Sequence, residues 1–367
     1  MTDTGFNLNW ASPPGESITR QMTVMGVDSH DLAEDLSMSL NEVRSVLAGL
    51  LPITPEIATV LSNRLGGSKG YWLNRDSAFQ HAITALPLER RFERSWVESM
   101  PYKAIVKLGW VKPAASVSGK ASELLDFFGL RHSAQWRLRY PNSSFASAFR
   151  TSTSFNTHPE AVALWLRRGE QVAATIDCAP WNPDGFRASL PDLKALTRNK
   201  YPSQFFPELR HICAANGVAL VAAPTPEGCH ASGATQFLSR TKALLMLSFR
   251  FKSDDQFWFS FFHEAGHLIL HDIDAVFIDD AFSEKEAPEE AEANHFAQEM
   301  LLPERRMAEL RQVGRNSDGV MRFARRLGVS SGVVVGQMQK RLGLDPRYLN
   351  GLKRRYGDEE IAAVFNL

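Results

Sequence analysis

The sequence predicts a multidomain protein that is mainly α-helical and contains a small β-sheet. The chain has 367 residues, which exceeds a typical single domain of about 100–200 residues. Apolar residues recur at helical spacing through the first quarter of the chain and again towards its end. Two short apolar runs, residues 218–221 and 243–249, have the length and composition of buried strands. The Pro-rich stretch 178–191 is expected to be a loop.

The overall composition excludes several classes of protein. Lysine and arginine total 41 and aspartate and glutamate total 41, so the formal net charge is zero, which excludes a uniformly basic nucleic-acid-binding protein. Three scattered cysteines, Cys178, Cys213 and Cys229, are too few for a disulfide framework and indicate a reducing compartment. No run of about 18 apolar residues occurs and no signal sequence follows Met1, so we expect a cytoplasmic protein without membrane contact.

Residues 1–95 are predicted to form a helical domain with a helix-turn-helix. Such a motif needs a small residue where its helices meet, a tight turn four residues later and an apolar residue six beyond that. Ala33, Ser37 and Val43 occupy these places. The region resembles the XRE-type helix-turn-helix of HigA-like antitoxins. The candidates for DNA contact on its second helix, which are expected to be exposed, are Ser39, Asn41, Arg44 and Ser45.

The distribution of charge limits what this domain could do alone. Residues 1–95 contain 8 Lys and Arg against 11 Asp and Glu, whereas affinity for DNA depends on neutralising phosphates. Binding to operator DNA is therefore expected only from a homodimer or with a second surface, and a helical protein–protein module is the alternative. Residues 304–355 carry 13 Lys and Arg against 4 Asp and Glu, and repeat the three-place spacing at Ala324, Gly328 and Val334. We interpret these helices as completing the preceding domain rather than as a second nucleic-acid surface.

The most informative segment is residues 257–271, which are rich in aromatic and aliphatic side chains and contain the HExxH motif from His263 to His267. Residues four apart share one face of a helix, so both imidazoles can bind one metal ion. Glu264 lies beside such a site, where it can accept a proton from water at the metal. His271 would be about 12 Å from His263 along the helix axis, which is too far to bind the same ion. We expect His271 to support a ligand or to lie at the surface.

A third protein ligand is expected, because catalytic zinc sites typically combine three protein ligands with an open position. The extended pattern HExxHxxGxxH fails here at both its Gly and its last His. The alternative is a carboxylate on the helix predicted between residues 288 and 303. Glu290 lies at the edge of the apolar stripe of this helix and is preferred, with Glu292 as the runner-up. Asn294, one turn after Glu290, would supply a hydrogen-bonding amide on the same face.

These segments resemble the ImmA/IrrE family of zinc metallopeptidases over about residues 165–340. After HExxH, the family pattern continues as E-x-x-A-N-x-F-A-x-x-L-L-x-P. Met300 replaces the first Leu, and the matching residues are Glu290, Ala293, Asn294, Phe296, Ala297, Leu301 and Pro303. The resemblance implies a gluzincin-like α+β domain with Zn²⁺ on His263, His267 and Glu290, and with Glu264 as general base. It also implies cleavage of a helix-turn-helix repressor or antitoxin, with the strand near residues 244–249 as the edge that pairs with substrate.

We therefore expect four segments, which are a helix-turn-helix domain (1–95), a helical connecting region (96–165), a metallopeptidase domain (166–310) and a basic helical segment (311–367). The expected function is zinc-dependent cleavage of a repressor or antitoxin-type protein that regulates transcription. The alternative is a DNA-binding regulator or antitoxin whose metal domain is a sensor or partner-binding platform without proteolysis. A purely structural zinc site is disfavoured, because such sites typically have four protein ligands.

Overall fold

The computed structural model describes residues 12–140, 158–271, 277–280, 288–313 and 316–366. It confirms a mainly helical protein with a small β-sheet. The chain forms two compact units, residues 1–145 and 146–367, and the finer division into four segments stays a prediction. Within the described residues, none of the helices combines the length and the apolar character that crossing a bilayer requires.

The described part of the first unit consists of helices and the turns and loops that connect them. Its α-helices are α1 (Pro14–Met25), α2 (Ser29–Leu36), α3 (Leu40–Leu47), α4 (Pro55–Leu65), α5 (Lys69–Ala85), α6 (Arg94–Ser99), α7 (Tyr102–Lys107), α8 (Val117–Phe128) and α9 (Ser133–Arg139). The first five helices share an apolar core that includes the buried side chains of Ile18, Leu61 and Trp72. Helix α9 packs against α3, and Gln135 Nε2 donates a hydrogen bond of 2.9 Å to the carbonyl oxygen of Ala48.

A tight turn joins α2 to α3. Ser37 ends α2 with φ of 54°, in the left-handed region, and Ser39 begins α3 as its N-cap. Ala33 and Val43 are fully buried on either side of the turn. The turn therefore falls where the spacing predicts it, whereas the relation of this region to DNA-binding domains stays a prediction.

The second unit combines helices with the sheet. Its α-helices are α10 (Pro159–Ala173), α11 (Pro183–Ala195), α12 (Pro202–Ala214), α13 (Asp254–Leu270), α14 (Pro288–Leu301), α15 (Met307–Val313), α16 (Ser317–Leu327), α17 (Ser331–Arg341) and α18 (Asp358–Phe365). Its strands are β1 (Val218–Ala222), β2 (Ala231–Ser239), β3 (Lys242–Leu247) and β4 (Phe277–Asp280). The expectation of a loop over residues 178–191 was wrong, because Asn182 caps α11 and Pro183 occupies its first turn.

The order of the strands in the sheet is β1-β3-β2-β4. Strand β3 is parallel to β1 and antiparallel to β2, so it has a partner on both sides. The prediction that the strand near residues 244–249 is a substrate-pairing edge was therefore wrong. Residues 243–247 are all apolar and buried, as is typical of an interior strand, and β1 and β2 pair with its two edges.

The basic helices α16 and α17 are integral parts of the second unit. Phe323 and Val334 belong to the same apolar core as Phe261 of α13. Gly328 ends α16 with φ of 79°, and Ser330 caps α17. Helix α13 thus packs against the sheet and against α17, and most of the residues of α13 are buried.

Candidate metal centre

Two packed helices, α13 and α14, bring the predicted ligands together. The Nε2 atoms of His263 and His267 lie 3.0 Å apart on α13. Glu290, in the first turn of α14, places Oε2 3.1 Å from His263 Nε2 and Oε1 3.5 Å from His267 Nε2. One ligand atom from each of the three residues lies within 4.8 Å of the other two, so this group could hold a metal ion.

The burial and charge of these side chains favour metal binding. Burial lowers the pKa of His267 to about 4, so its imidazole is neutral at pH 7. Burial alone would raise the pKa of Glu290, but its contacts with His263 and His267 outweigh burial and lower that pKa to about 2. A neutral imidazole and an ionised carboxylate are the protonation states that bind a divalent metal.

The donor set also fits zinc in particular. Two imidazole nitrogens and one carboxylate oxygen are a typical set of protein ligands at catalytic zinc sites. Asn294 Oδ1 lies 3.1 Å from His263 Nδ1. A proton on that Nδ1, donated to the amide oxygen, leaves the Nε2 lone pair of His263 directed at the site.

The Glu264 carboxylate is fully buried and lies against strand β2. A Cβ atom built on Gly233 would come within 2.4 Å of Glu264 Oε1 and 2.6 Å of Glu264 Cγ. Only a glycine at position 233 leaves room for the carboxylate in this place. The sequence analysis did not identify Gly233, because its role depends on the pairing of β2 in the sheet and on the packing of Glu264 against that strand.

His271 and Glu292 lie on the Nδ1 side of the His267 ring, whereas His263 and Glu290 face its Nε2 atom. His271 Nδ1 lies 3.0 Å from His267 Nδ1, and His271 Nε2 lies 3.1 Å from Glu292 Oε2. Glu292 therefore contacts His271, whereas Glu290 contacts the two HExxH imidazoles. Phe277 of β4, which the sequence analysis also missed, stacks on His267 with ring centroids 4.0 Å apart and an interplanar angle of 14°.

The four candidates for DNA contact in α3 and its cap do not form an exposed row. Ser39 and Asn41 are buried, and Arg44 and Ser45 are half-buried, so the expectation of exposure was wrong for the first two. Ser39 caps α3, where its amide donates a hydrogen bond of 2.9 Å to Glu42 Oε2. Buried side chains cannot contact a nucleic acid without a rearrangement of the first unit.

Comparison with known proteins relates the second unit to one family. No curated protein matches the chain. Residues 229–337 match the model of the Peptidase_M78 family, described as an IrrE N-terminal-like domain. The matched range contains β2, β3 and helices α13 to α16, together with the HExxH motif and Glu290. This match supports a relationship of the second unit to the ImmA/IrrE family of peptidase-type hydrolases, a family that is typically metal-dependent.

Proposed function

We propose that this protein is a zinc-dependent endopeptidase. The observation that carries the proposal is the convergence of His263, His267 and Glu290, together with the buried carboxylate of Glu264, which lies on α13 between the two histidines. The family match over residues 229–337 supports a peptidase-type reaction. A bound zinc ion would supply Lewis acidity, which lowers the pKa of water and polarises a peptide carbonyl.

The residues of the chain have separate roles in this proposal. His263, His267 and Glu290 hold the metal ion, and Asn294 orients His263. Glu264 accepts a proton from the attacking water and returns it to the leaving amine. Gly233 keeps space for the Glu264 carboxylate next to β2, so that this group is positioned before substrate arrives.

We propose a protein substrate, specifically a helix-turn-helix repressor or antitoxin-type partner whose cleavage changes transcription. The support for this substrate class is the relationship to the ImmA/IrrE family. The buried positions of Ser39 and Asn41 give no support to the alternative in which the chain itself is a DNA-binding regulator.

The decisive experiment co-expresses the protein with the product of the neighbouring gene and compares wild type with the Glu264→Gln variant. Wild type should yield a specific fragment, and Glu264→Gln should reduce its rate of formation by about 10²–10⁴-fold while the zinc content stays the same. Glu289→Gln, an exposed carboxylate on α14, serves as the matched control. Equal cleavage by Glu264→Gln, or a purified protein that binds no zinc, would refute the proposal.

A second variant tests the position of the base rather than its chemistry. Gly233→Ala should reproduce the Glu264→Gln phenotype, because the added methyl group occupies the space of the carboxylate. Gly351→Ala is the control, since a Cβ atom there meets nothing within 4 Å. Full activity of Gly233→Ala would show that the carboxylate does not need its present position.

A further inference from the structure

We propose that His271 and Glu292 form a hydrogen-bonded chain that orients His267 and fixes the ring nitrogen on which it carries its proton. Neither residue lies among the three metal-binding side chains. They are positioning residues that act through His267. This inference rests on the proposed zinc site and deepens it.

The contacts of the three side chains allow one consistent arrangement of protons. His267 Nε2 faces the other two ligands, so this nitrogen must be unprotonated to bind a metal ion. The proton of the neutral imidazole is then on Nδ1, from which His267 donates to His271 Nδ1 across 3.0 Å. His271 in turn carries its proton on Nε2 and donates it to Glu292 Oε2 across 3.1 Å.

The two imidazole ligands therefore have supports of different chemistry. His263 faces the neutral amide of Asn294, whereas the chain behind His267 ends at a carboxylate. A carboxylate at the end of such a chain makes the ligand more basic as well as fixing its orientation. The His271 side chain is only 8% exposed, but that of Glu292 is 63% exposed, so solvent weakens the last link. We expect His271 to matter more than Glu292.

Phe277 holds the rings of this chain in place. Its ring lies 4.0 Å from that of His267 at an interplanar angle of 14°, and 5.1 Å from that of His271 at 40°. An aromatic ring on both imidazoles restricts their rotation, because rotation would break the packing contact. The chain therefore has a fixed geometry before metal binds, which reduces the loss of side-chain freedom on binding.

The test measures the zinc affinity of the purified full-length protein by competition with a chromogenic zinc chelator. His271→Phe keeps an aromatic ring but removes the acceptor, and it should weaken zinc binding by about 10–100-fold. His271→Gln restores a carbonyl acceptor of the kind that Asn294 offers His263, and it should recover most of that loss. Glu292→Gln should weaken binding by less than about fivefold. The controls His295→Phe and Glu289→Gln change exposed residues of α14 and should leave the affinity unchanged.

A second readout separates positioning from a general loss of structure. In ¹⁵N NMR spectra of the zinc-loaded protein, His267 should carry its proton on Nδ1 in wild type and in His271→Gln, with that signal shifted or broadened in His271→Phe. A wild-type protein that binds no zinc would defeat the proposed function itself. If wild type binds zinc and His271→Phe binds it with the same affinity, only the present inference is overturned. The same holds if His271→Phe and His271→Gln lose equal amounts of zinc affinity.

Discussion

Two regions of the chain have the same local geometry but different surroundings. We call α2 and α3 the first helix pair, and α16 and α17 the second helix pair. In each pair the first helix ends at a left-handed residue, Ser37 with φ of 54° or Gly328 with φ of 79°. Two residues later a serine caps the second helix, Ser39 in one pair and Ser330 in the other. The local spacing thus specifies the same turn twice.

What differs is the partner of the second helix. In the first pair, α3 packs among helices of the first unit, including α1 and α9. In the second pair, α17 packs against α13, which carries the HExxH motif. Two glycines of α17, Gly332 and Gly336, face Asp254 and Asp255 at the start of α13, and Ser330 Oγ donates a hydrogen bond of 2.7 Å to Asp254 Oδ2. The same turn therefore precedes a helix that packs against the HExxH helix in one case and a helix that packs against other helices of the first unit in the other.

The strongest test of this contrast introduces one charge at equivalent buried positions. Val334 belongs to the core that includes Phe261 and Ala265 of α13, whereas Val43 belongs to the core of the first unit. Val334→Asp should destabilise the second unit by more than about 4 kcal/mol and abolish zinc binding, because an unpaired carboxylate would be buried there. Val43→Asp should leave the zinc content of the soluble protein unchanged. Metal analysis measures the zinc content of both variants. Loss of zinc from both variants, or from neither, would contradict the difference that we infer between the two helix pairs.

A smaller effect is expected at the buried ion pair next to the second helix pair. Lys353 Nζ lies 2.6 Å from Asp255 Oδ2, and both side chains are buried. Lys353→Met leaves the Asp255 carboxylate without its cation, which should lower the free energy of unfolding by about 3–5 kcal/mol. Adding Asp255→Asn should recover part of this loss.

The control for this ion pair is Lys252→Met, which breaks an exposed contact with Asp358 and should cost less than about 1 kcal/mol. Urea unfolding measured by near-ultraviolet circular dichroism gives the free energies. Equal losses in Lys353→Met and Lys252→Met would show that α13 does not depend on the buried pair.

Acid should destabilise the metal-free second unit, and the loss of stability per pH unit should be smaller than the effect of breaking the buried ion pair. The folded state holds the pKa of His267 at about 4, below its ordinary value of 6.5, so the unfolded chain binds more protons between these pH values. The stability that the neutral His267 contributes is therefore fully present above pH 6.5. It falls by at most about 1.4 kcal/mol per pH unit as the pH decreases towards 4. Thermal unfolding of chelator-treated wild type and His267→Gln measures this effect. The same slope in both proteins would assign the acid sensitivity to other groups.

The parts of the site that the sequence predicted are those determined by spacing within one helix. His263, Glu264 and His267 share one helix, and Pro288 marked the start of the helix that carries Glu290. The pattern of the α2–α3 turn was likewise local. These features could be predicted because helical periodicity and capping act over a few residues.

The parts that could not be predicted depend on contacts between distant residues. Strand β2 contains Ser, Gly, Thr and Gln, and its pairing with β3 gives it a strand conformation and makes β3 interior. Helix α3, which carries the buried Asn41, packs against α9, which begins 86 residues after the end of α3. The contact of His271 with Glu292 likewise joins α14 to the end of α13.

The smallest predicted effect comes from exchanging the two turn residues. A non-glycine residue in the left-handed region raises the backbone energy by about 1–2 kcal/mol. Glycine avoids this cost, but its greater conformational freedom in the unfolded chain offsets part of the gain. Ser37→Gly should therefore stabilise the first unit by up to about 1 kcal/mol, and Gly328→Ser should destabilise the second by a similar amount. A Cβ atom on Gly328 meets nothing within 4 Å, so that cost is confined to the backbone. Urea midpoints of the two variants should shift in opposite directions, and a shift of the same sign in both would mean that the turns do not share one geometry.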